Sequence, residues 1–283
     1  MHRHANQFSI YRMADVLDVS RSGYYAWKKA FKTPSSRASK QWQLDQKVKR
    51  AFEGSKRRNG ARRIQVDLKE QGNHYDVKTI SRSMRRQNLV PKAARKFKVT
   101  TNSNHKLPVA PNLLNQDFTA TVPNQKWAGD ITYLMTSEGW LYLAVMVDLH
   151  SRAVVGWSMG TRMTADLVCE ALQMALWRRG FPKQTIIHSD RGSQYCSAAY
   201  RDLIGKHELR QSMSRKGNCW DNACVESFFH SLKVEAIQYE PIMDRESMRQ
   251  AVFEYIEVDY NRTRRHSALG YLSPEAYEQK VSA

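Results

Sequence analysis

From about Asn124 onward the chain sets down three strand-like runs in succession, with room between them only for turns. Asp130 to Met135 reads as the first strand, Ser137-Glu138-Gly139 turns the chain, Trp140 to Leu149 is the second, and Ala153 to Met159 the third. Strands joined so closely fold as an antiparallel meander. A helix from Thr164 to Arg178 follows, ended by Gly180. Then come a short apolar strand from Thr185 to His188, a helix near Ser197 to Lys206, a strand-like piece from Leu209 to Met213, and a helix from about Asn222 to Glu235.

The order βββαβαβα predicts an α/β unit, a ribonuclease-H-like mixed sheet flanked by helices. Three acidic residues sit at informative places along it. Asp130 lies in Trp127-Ala128-Gly129-Asp130-Ile131-Thr132-Tyr133-Leu134, Asp190 closes Ile186-Ile187-His188-Ser189-Asp190, and Glu226 falls inside the last helix. Each is expected at a sheet edge, strand end or helix facing one small site. Singly, each would pass for a surface acid. In fold order they match what two hard divalent cations, Mg²⁺ with Mn²⁺ as a substitute, require for phosphodiester chemistry. Asp130 is expected to bridge the two ions, with Asp190 on one and Glu226 on the other. On the last helix Glu226, Phe229 and Lys233 share one face and Val225, Phe228 and Leu232 another. That spacing puts Lys233 about 10 Å beyond Glu226 along the axis, where it is expected to touch a DNA phosphate. Asp148, at the end of the second strand, is left out of the set. It reads either as a fourth acid near the ions or as a turn cap.

The charge is divided as sharply as the pattern. Residues 1–120 hold 26 Lys and Arg against 8 Asp and Glu, whereas residues 121–283 hold 19 against 19. The whole net charge of +18 therefore belongs to the front of the chain, as expected where a basic module grips a polyanion. The front reads as helical. Residues 1–32 form one helix-turn-helix, in which Ser20 caps the second helix, and Thr33-Pro34-Ser35-Ser36-Arg37 is a linker. A helix from Gln43 to Phe52 opens a second helix-turn-helix unit over residues 43–90. In its last helix Val77, Ile80 and Met84 form the apolar stripe while Lys78, Arg82, Arg85 and Arg86 point outward as candidate DNA contacts. Residues 91–120 read as a basic extended connector, with the run Lys92-Ala93-Ala94-Arg95-Lys96-Phe97-Lys98, and residues 121–283 as the catalytic core with a helical tail.

Other chemistries are excluded or weak. Cys169, Cys196, Cys219 and Cys224 lack the spacing of a disulfide framework or zinc finger and read as reduced thiols. No Gly-x-Ser-x-Gly elbow and no Gly-x-x-x-x-Gly-Lys-[Ser/Thr] loop occurs. No apolar stretch of about 18 residues is present, and the reading is of a cytoplasmic, nucleoid-associated protein. His188 is either a support for Asp190 or a packed core histidine. Asp221 or Asn222 is expected to cap the last helix, and Trp220 offers a stacking surface. The cluster Tyr260-Asn261-Arg262-Thr263-Arg264-Arg265-His266 supplies DNA-compatible donors or docks as a tail on the core.

Four blocks carry a resemblance. Trp127 to Tyr133, His188-Ser189-Asp190-Arg191-Gly192-Ser193-Gln194-Tyr195, Asp221-Asn222-Ala223-Cys224-Val225-Glu226-Ser227-Phe228-Phe229 and Tyr260 to Leu269 resemble the hallmark blocks of bacterial insertion-sequence transposases, specifically the OrfB product of the IS-three family. The resemblance spans nearly the whole chain. It implies an integrase-like core with a DDE triad at Asp130, Asp190 and Glu226, a basic position at Lys233, and magnesium-dependent cleavage at element ends followed by strand transfer. It also implies double-stranded DNA, both element ends and target, as partner, a homo-oligomer in a synaptic complex, and an upstream OrfA partner or frameshift fusion.

Overall fold

Three serines decide where the first helices begin. Ser9 Oγ accepts from Arg12 N at 3.3 Å, Ser20 Oγ from Gly23 N at 3.0 Å and Ser35 Oγ from Ala38 N at 3.2 Å, each satisfying a donor that a helix start leaves open. They open α1 (Ile10–Val16), α2 (Arg21–Lys32) and α3 (Ser36–Gly54). Capping by Ser35 starts α3 seven residues before the expected Gln43, so the second half of the supposed linker is helix. The computed structural model describes residues 1–32, 35–92, 108–115, 117–215 and 222–282. The chain divides into two units, Met1–Pro91 and Lys92–Ala283.

In the first unit α3 packs with α4 (Ala61–Glu70) and α5 (Val77–Arg86) around Leu44, Val48, Phe52, Ile64, Leu68, Ile80 and Met84. Lys78, Arg82 and Arg85 are exposed on α5. Arg86 is committed elsewhere: its Nη2 lies 2.6 Å from Asp45 Oδ1, and the buried Ser83 donates to the same oxygen at 2.5 Å. Burial alone would raise the Asp45 carboxyl, but the bonds from Arg86 and Ser83 prevail and lower it. The α1–α2 pair buries Ala14 and Tyr24 and leaves Tyr11, Val16, Leu17 and Tyr25 exposed.

The second unit is built on a five-stranded sheet of order β3-β2-β1-β4-β5. β1 (Lys126–Thr136), β2 (Gly139–Asp148) and β3 (Val154–Gly160) form the expected meander, while β4 (Ile186–Ser189) and β5 (Arg210–Met213) pair in parallel on the other side of β1. The sheet is therefore mixed and ribonuclease-H-like, with helices on both faces. α6 (Ala165–Arg178) and α7 (Ala198–Lys206) cover one face, burying Leu172, Leu176, Tyr200 and Leu203 against Trp127 and Ile187. α8 (Ala223–Leu232) and α9 (Arg245–Glu254) cover the other, where Val225, Phe228, Leu232 and Val252 meet Ala128, Leu134 and Val145. A last helix, α10, spans Pro274–Ser282. Among the described residues no helix is long and apolar enough to cross a membrane.

Close approach fixes one residue. A Cβ on Gly156 of β3 would stand 2.2 Å from Ala171 O and 2.6 Å from Ala175 N of α6, so helix and strand meet backbone to backbone.

The tail docks on the core. Asn261 Oδ1 accepts from Val154 N at 2.9 Å and its Nδ2 donates to Val154 O at 2.9 Å, so a side-chain amide stands in for a strand along the outer side of β3. Arg264 Nη2 pairs with Glu235 Oε1 at 2.9 Å in largely buried surroundings and donates to Ser231 Oγ at 2.8 Å. Tyr255 completes the group by donating to Glu235 Oε2 at 3.0 Å. Of the two uses open for the cluster after Tyr260, Asn261 and Arg264 serve the docking one. Both connecting segments, Lys233–Ile237 and Tyr255–Thr263, are wound as π-helix, so α8 ends at Leu232 rather than at the expected Glu235.

Candidate active site

The parallel register between β1 and β4 sets the site. Lys126, Trp127 and Ala128 pair with Ile186, Ile187 and His188, an offset of 60 residues that carries Asp130 level with Asp190. Asp130 is not at the end of its strand, as expected. It lies inside β1, the central strand of the sheet, because the end of β2 pairs with Trp127 to Gly129 and β4 pairs with Lys126 to Ala128, extending β1 back to Lys126. What ends near Asp130 is β4, leaving that side of β1 open beyond Ala128. Strand alternation assigns Asp130 to the face of Ala128 and Leu134, the face covered by α8.

Asn222 brings the helix to this place. At the N-cap position of α8 it makes no capping bond. Its Nδ2 instead donates to Gly129 O at 3.2 Å, next to Asp130, and its Oδ1 is buried without a hydrogen-bond partner. The capping expected of Asn222 is thus replaced by a tie between helix and strand, while Asp221 and Trp220 lie outside the described residues, as do Cys219 and residues 93–107 of the connector.

The electrostatics follow from this convergence. Burial raises the Asp130 carboxyl well above the usual range, and the like charges of Asp190 and Glu226 push it further, against the bond from Ile131 N and the attraction of Lys233. Asp190 is half-buried, with Oδ1 accepting from Gly192 N at 2.8 Å. Glu226 is exposed in the first turn of α8, and partial desolvation raises its carboxyl. Lys233 sits with Nζ 5.0 Å from the centre of the Tyr133 ring; burial lowers it to about 8, and Asp130 works in the other direction. Tyr195 lies buried beneath the pair. Its phenol, raised first by burial, also feels Asp130 and Asp190.

Asp130 and Asp190 thus come side by side, with Glu226 and Lys233 within electrostatic reach of Asp130. Among the described residues no three His, Cys, Asp or Glu side chains are already close enough together to share one ion. Asp148 falls on the opposite face, paired with Trp127, where it accepts from Asn124 N at 2.9 Å and His150 N at 3.0 Å: it is a turn cap. His188 is fully buried and its Nδ1 lies 2.9 Å from Ser212 Oγ, joining β4 to β5. Cys196 and Cys224 are buried and Cys169 partly so, and burial raises all three thiols.

Three family models match the chain. An integrase core domain covers residues 120–219, a second integrase core domain residues 226–281, and an HTH-like domain residues 40–97. The transposase InsF for insertion sequence IS3A of Escherichia coli strain K12 is 58% identical over 278 residues, spanning 98% of this chain and 96% of the relative. The chain belongs to the IS3 family of insertion-sequence transposases. The transposase is also 46% identical over 268 residues to the insertion element IS600 uncharacterized 31 kDa protein of Shigella sonnei, spanning 95% of this chain and 98% of that one. Among solved structures, a chain of the simian T-cell lymphotropic virus intasome superposes with a TM-score of 0.48 at 19% identity, covering 75% of the transposase and 70% of that chain. As a member of this family the protein is a polynucleotidyl transferase of DNA transposition and integration.

Two features of the site lay beyond sequence reasoning. The bond from Asn222 to Gly129 O joins residues 93 apart, and nothing in the local sequence around Tyr133 points to Lys233, 100 residues later, as its partner. The identical spacing of Lys126–Ala128 and Ile186–His188 from the two aspartates was the one available signal.

Proposed function

We propose that this transposase cuts at the ends of its element and joins the freed 3′ ends to target DNA, with Asp130, Asp190 and Glu226 holding two divalent metal ions. The placement of Asp130 inside β1 beside Asp190, which directly follows the end of the neighbouring parallel strand β4, with Asp130 on the face where α8 carries Glu226, is the observation that carries this reading. The donor set fits: three carboxylates are hard oxygen ligands, and the upward pressure on Asp130 from burial and its acidic neighbours is what a bound cation relieves. When bound, Mg²⁺, or Mn²⁺ in its stead, would supply charge neutralisation at the scissile phosphate and lower the pKa of the attacking hydroxyl.

The residues then divide the work. Asp130, Asp190 and Glu226 would hold the ions through their carboxylate oxygens, with Asp130 expected to serve both and the other two one each. In cleavage a water oxygen attacks the phosphorus and the 3′ oxygen leaves with a proton. In joining, that 3′ hydroxyl attacks a target phosphate, loses its proton, and displaces the 3′ oxygen of the target strand. Lys233, near Asp130, balances negative charge where the phosphate arrives.

DNA is held by the basic first unit. Lys78, Arg82 and Arg85 are offered by α5, while the bonds of Arg86 to Asp45 favour a bracing role for that residue. A homo-oligomer on paired element ends, an OrfA partner or frameshift fusion, and residence on the nucleoid belong to the same reading and rest on the family resemblance.

Labelled element-end DNA with Mg²⁺ tests the triad. Strand nicking is expected from the wild type and loss of nicking from Asp190→Asn. Unchanged nicking by that variant removes the triad from the mechanism.

A further inference from the structure

Beyond Asp130 the β1–β2 hairpin runs past both its neighbours, and its tip presents rings. Register pairs Tyr133 with Tyr142 and Met135 with Trp140, so all four side chains share the face that α6 covers farther along. Here α6 has not yet begun. Met135 is 51% exposed and Trp140 42%, and the rings of Tyr133 and Trp140 meet edge to face with centroids 4.9 Å apart. Large apolar side chains left open on a hairpin tip cost solvation, and such exposed groups mark contact surfaces.

The platform is held firmly. Ser137 N donates to Met243 O at 2.8 Å and Arg245 N to Glu138 Oε2 at 2.6 Å, bracing the turn against the segment before α9. It also adjoins the candidate active site from two directions. Lys233 lies over Tyr133 and within reach of the Asp130 charge, and the loop after Asp190 is tied to the start of α6 by Gln194 Nε2, which donates to Met163 O at 3.1 Å. Arg162, exposed just past β3, adds a second cation on this side.

We propose that Tyr133 and Trp140 form a nucleobase platform, on which an unpaired base of the cleaved strand stacks while its phosphates lie at the carboxylates. The proposal rests on the function given above. Tyr133 lies about 10 Å along β1 from Asp130 and on the opposite face of the sheet, and Lys233, over the Tyr133 ring and within reach of the Asp130 charge, links the two at the edge of β1 left open beyond Ala128. Flanking cations suit a strand that carries one negative charge per nucleotide. Ring faces accept any base, so the platform holds the end without reading its sequence. Such a site would secure the 3′ end between cutting and joining.

The test uses the full chain and a frayed DNA duplex carrying 2-aminopurine at the first, second or third nucleotide from its 3′ end. Quenching is expected at one of these positions. It should disappear in Trp140→Ala with affinity for the frayed duplex about 5- to 150-fold weaker, and persist in Trp140→Phe, which keeps a ring. A matched melting curve shows that Trp140→Ala is folded, and Met135→Ala, which should weaken binding less, provides a second variant at the same tip. Quenching without nicking in the wild type would sink the metal-ion reading and leave the platform standing. Absence of quenching at all three positions, or equal quenching in Trp140→Ala, overturns the platform. So does a shift of sedimentation from dimer to monomer in Trp140→Ala with quenching intact, which assigns the tip to contact between copies.

Discussion

Asp130 is a residue whose environment works against its own charge. A carboxyl with a folded-state pKa above its unfolded one costs stability once ionised, so this cost is absent at low pH and grows as pH rises from the ordinary carboxylate range through the folded-state value. Asp130→Asn removes the cost. In the absence of divalent metal its melting temperature should match that of the wild type near pH 4 and exceed it at neutral pH by roughly 2–4 °C, the shift that about 1 kcal/mol produces in a unit of this size. Added Mg²⁺ should raise the wild-type melting temperature and leave the variant unmoved. A gap that stays constant with pH would contradict the assignment. Strain of this kind at the point of chemistry is a familiar exchange of stability for activity.

At the scale of elements, the site depends on how strands and helices are tied together. Asn222→Ala deletes the tie from α8 to Gly129 and lets Glu226 drift from Asp130. A displacement on the order of 1 Å costs about a hundredfold in rate, so nicking of labelled DNA should fall by that order while affinity measured by fluorescence anisotropy stays the same. Packing has an equally local test. Gly156→Ala forces a methyl into the backbone of α6 and should cost about 1–3 kcal/mol in denaturant unfolding, whereas Gly205→Ala, whose added Cβ meets nothing within 4 Å, should be neutral or slightly stabilising. These two scales explain what could be read from sequence. The meander was legible because alternation and the turn at Gly139 are local, and the three acids because their frames are. The start of β1 at Lys126 was not, since those residues are held by the far end of β2 and by a strand 60 positions later. Nor were the π-wound segments, which tertiary docking of Tyr255, Tyr260 and Arg264 imposes on otherwise helical sequence. Arg86 looked like its neighbours on α5 until its partner Asp45, 41 residues away, was in view.

For the molecule as a whole, charge and chemistry are kept apart along the chain, and salt should separate them. Binding affinity for DNA should fall linearly with salt on logarithmic axes, and Lys78→Ala or Arg82→Ala should each reduce that slope by about 1. Arg86→Ala should leave the slope nearly unchanged and lower the unfolding midpoint of the first unit instead; a slope change equal to that of Arg82→Ala would return Arg86 to the DNA contacts. The sheet's two flanks have a consequence of another kind. The Asn261 amide occupies Val154 on one flank. On the other, Ser212 Oγ accepts from Leu113 N at 2.9 Å and Leu114 N at 3.2 Å, and Met213 N donates to Pro111 O at 3.3 Å. Each hem of the fabric is pinned at one end by the chain's own extensions, which keeps a foreign strand from joining there and helps guard the protein against running on into fibres.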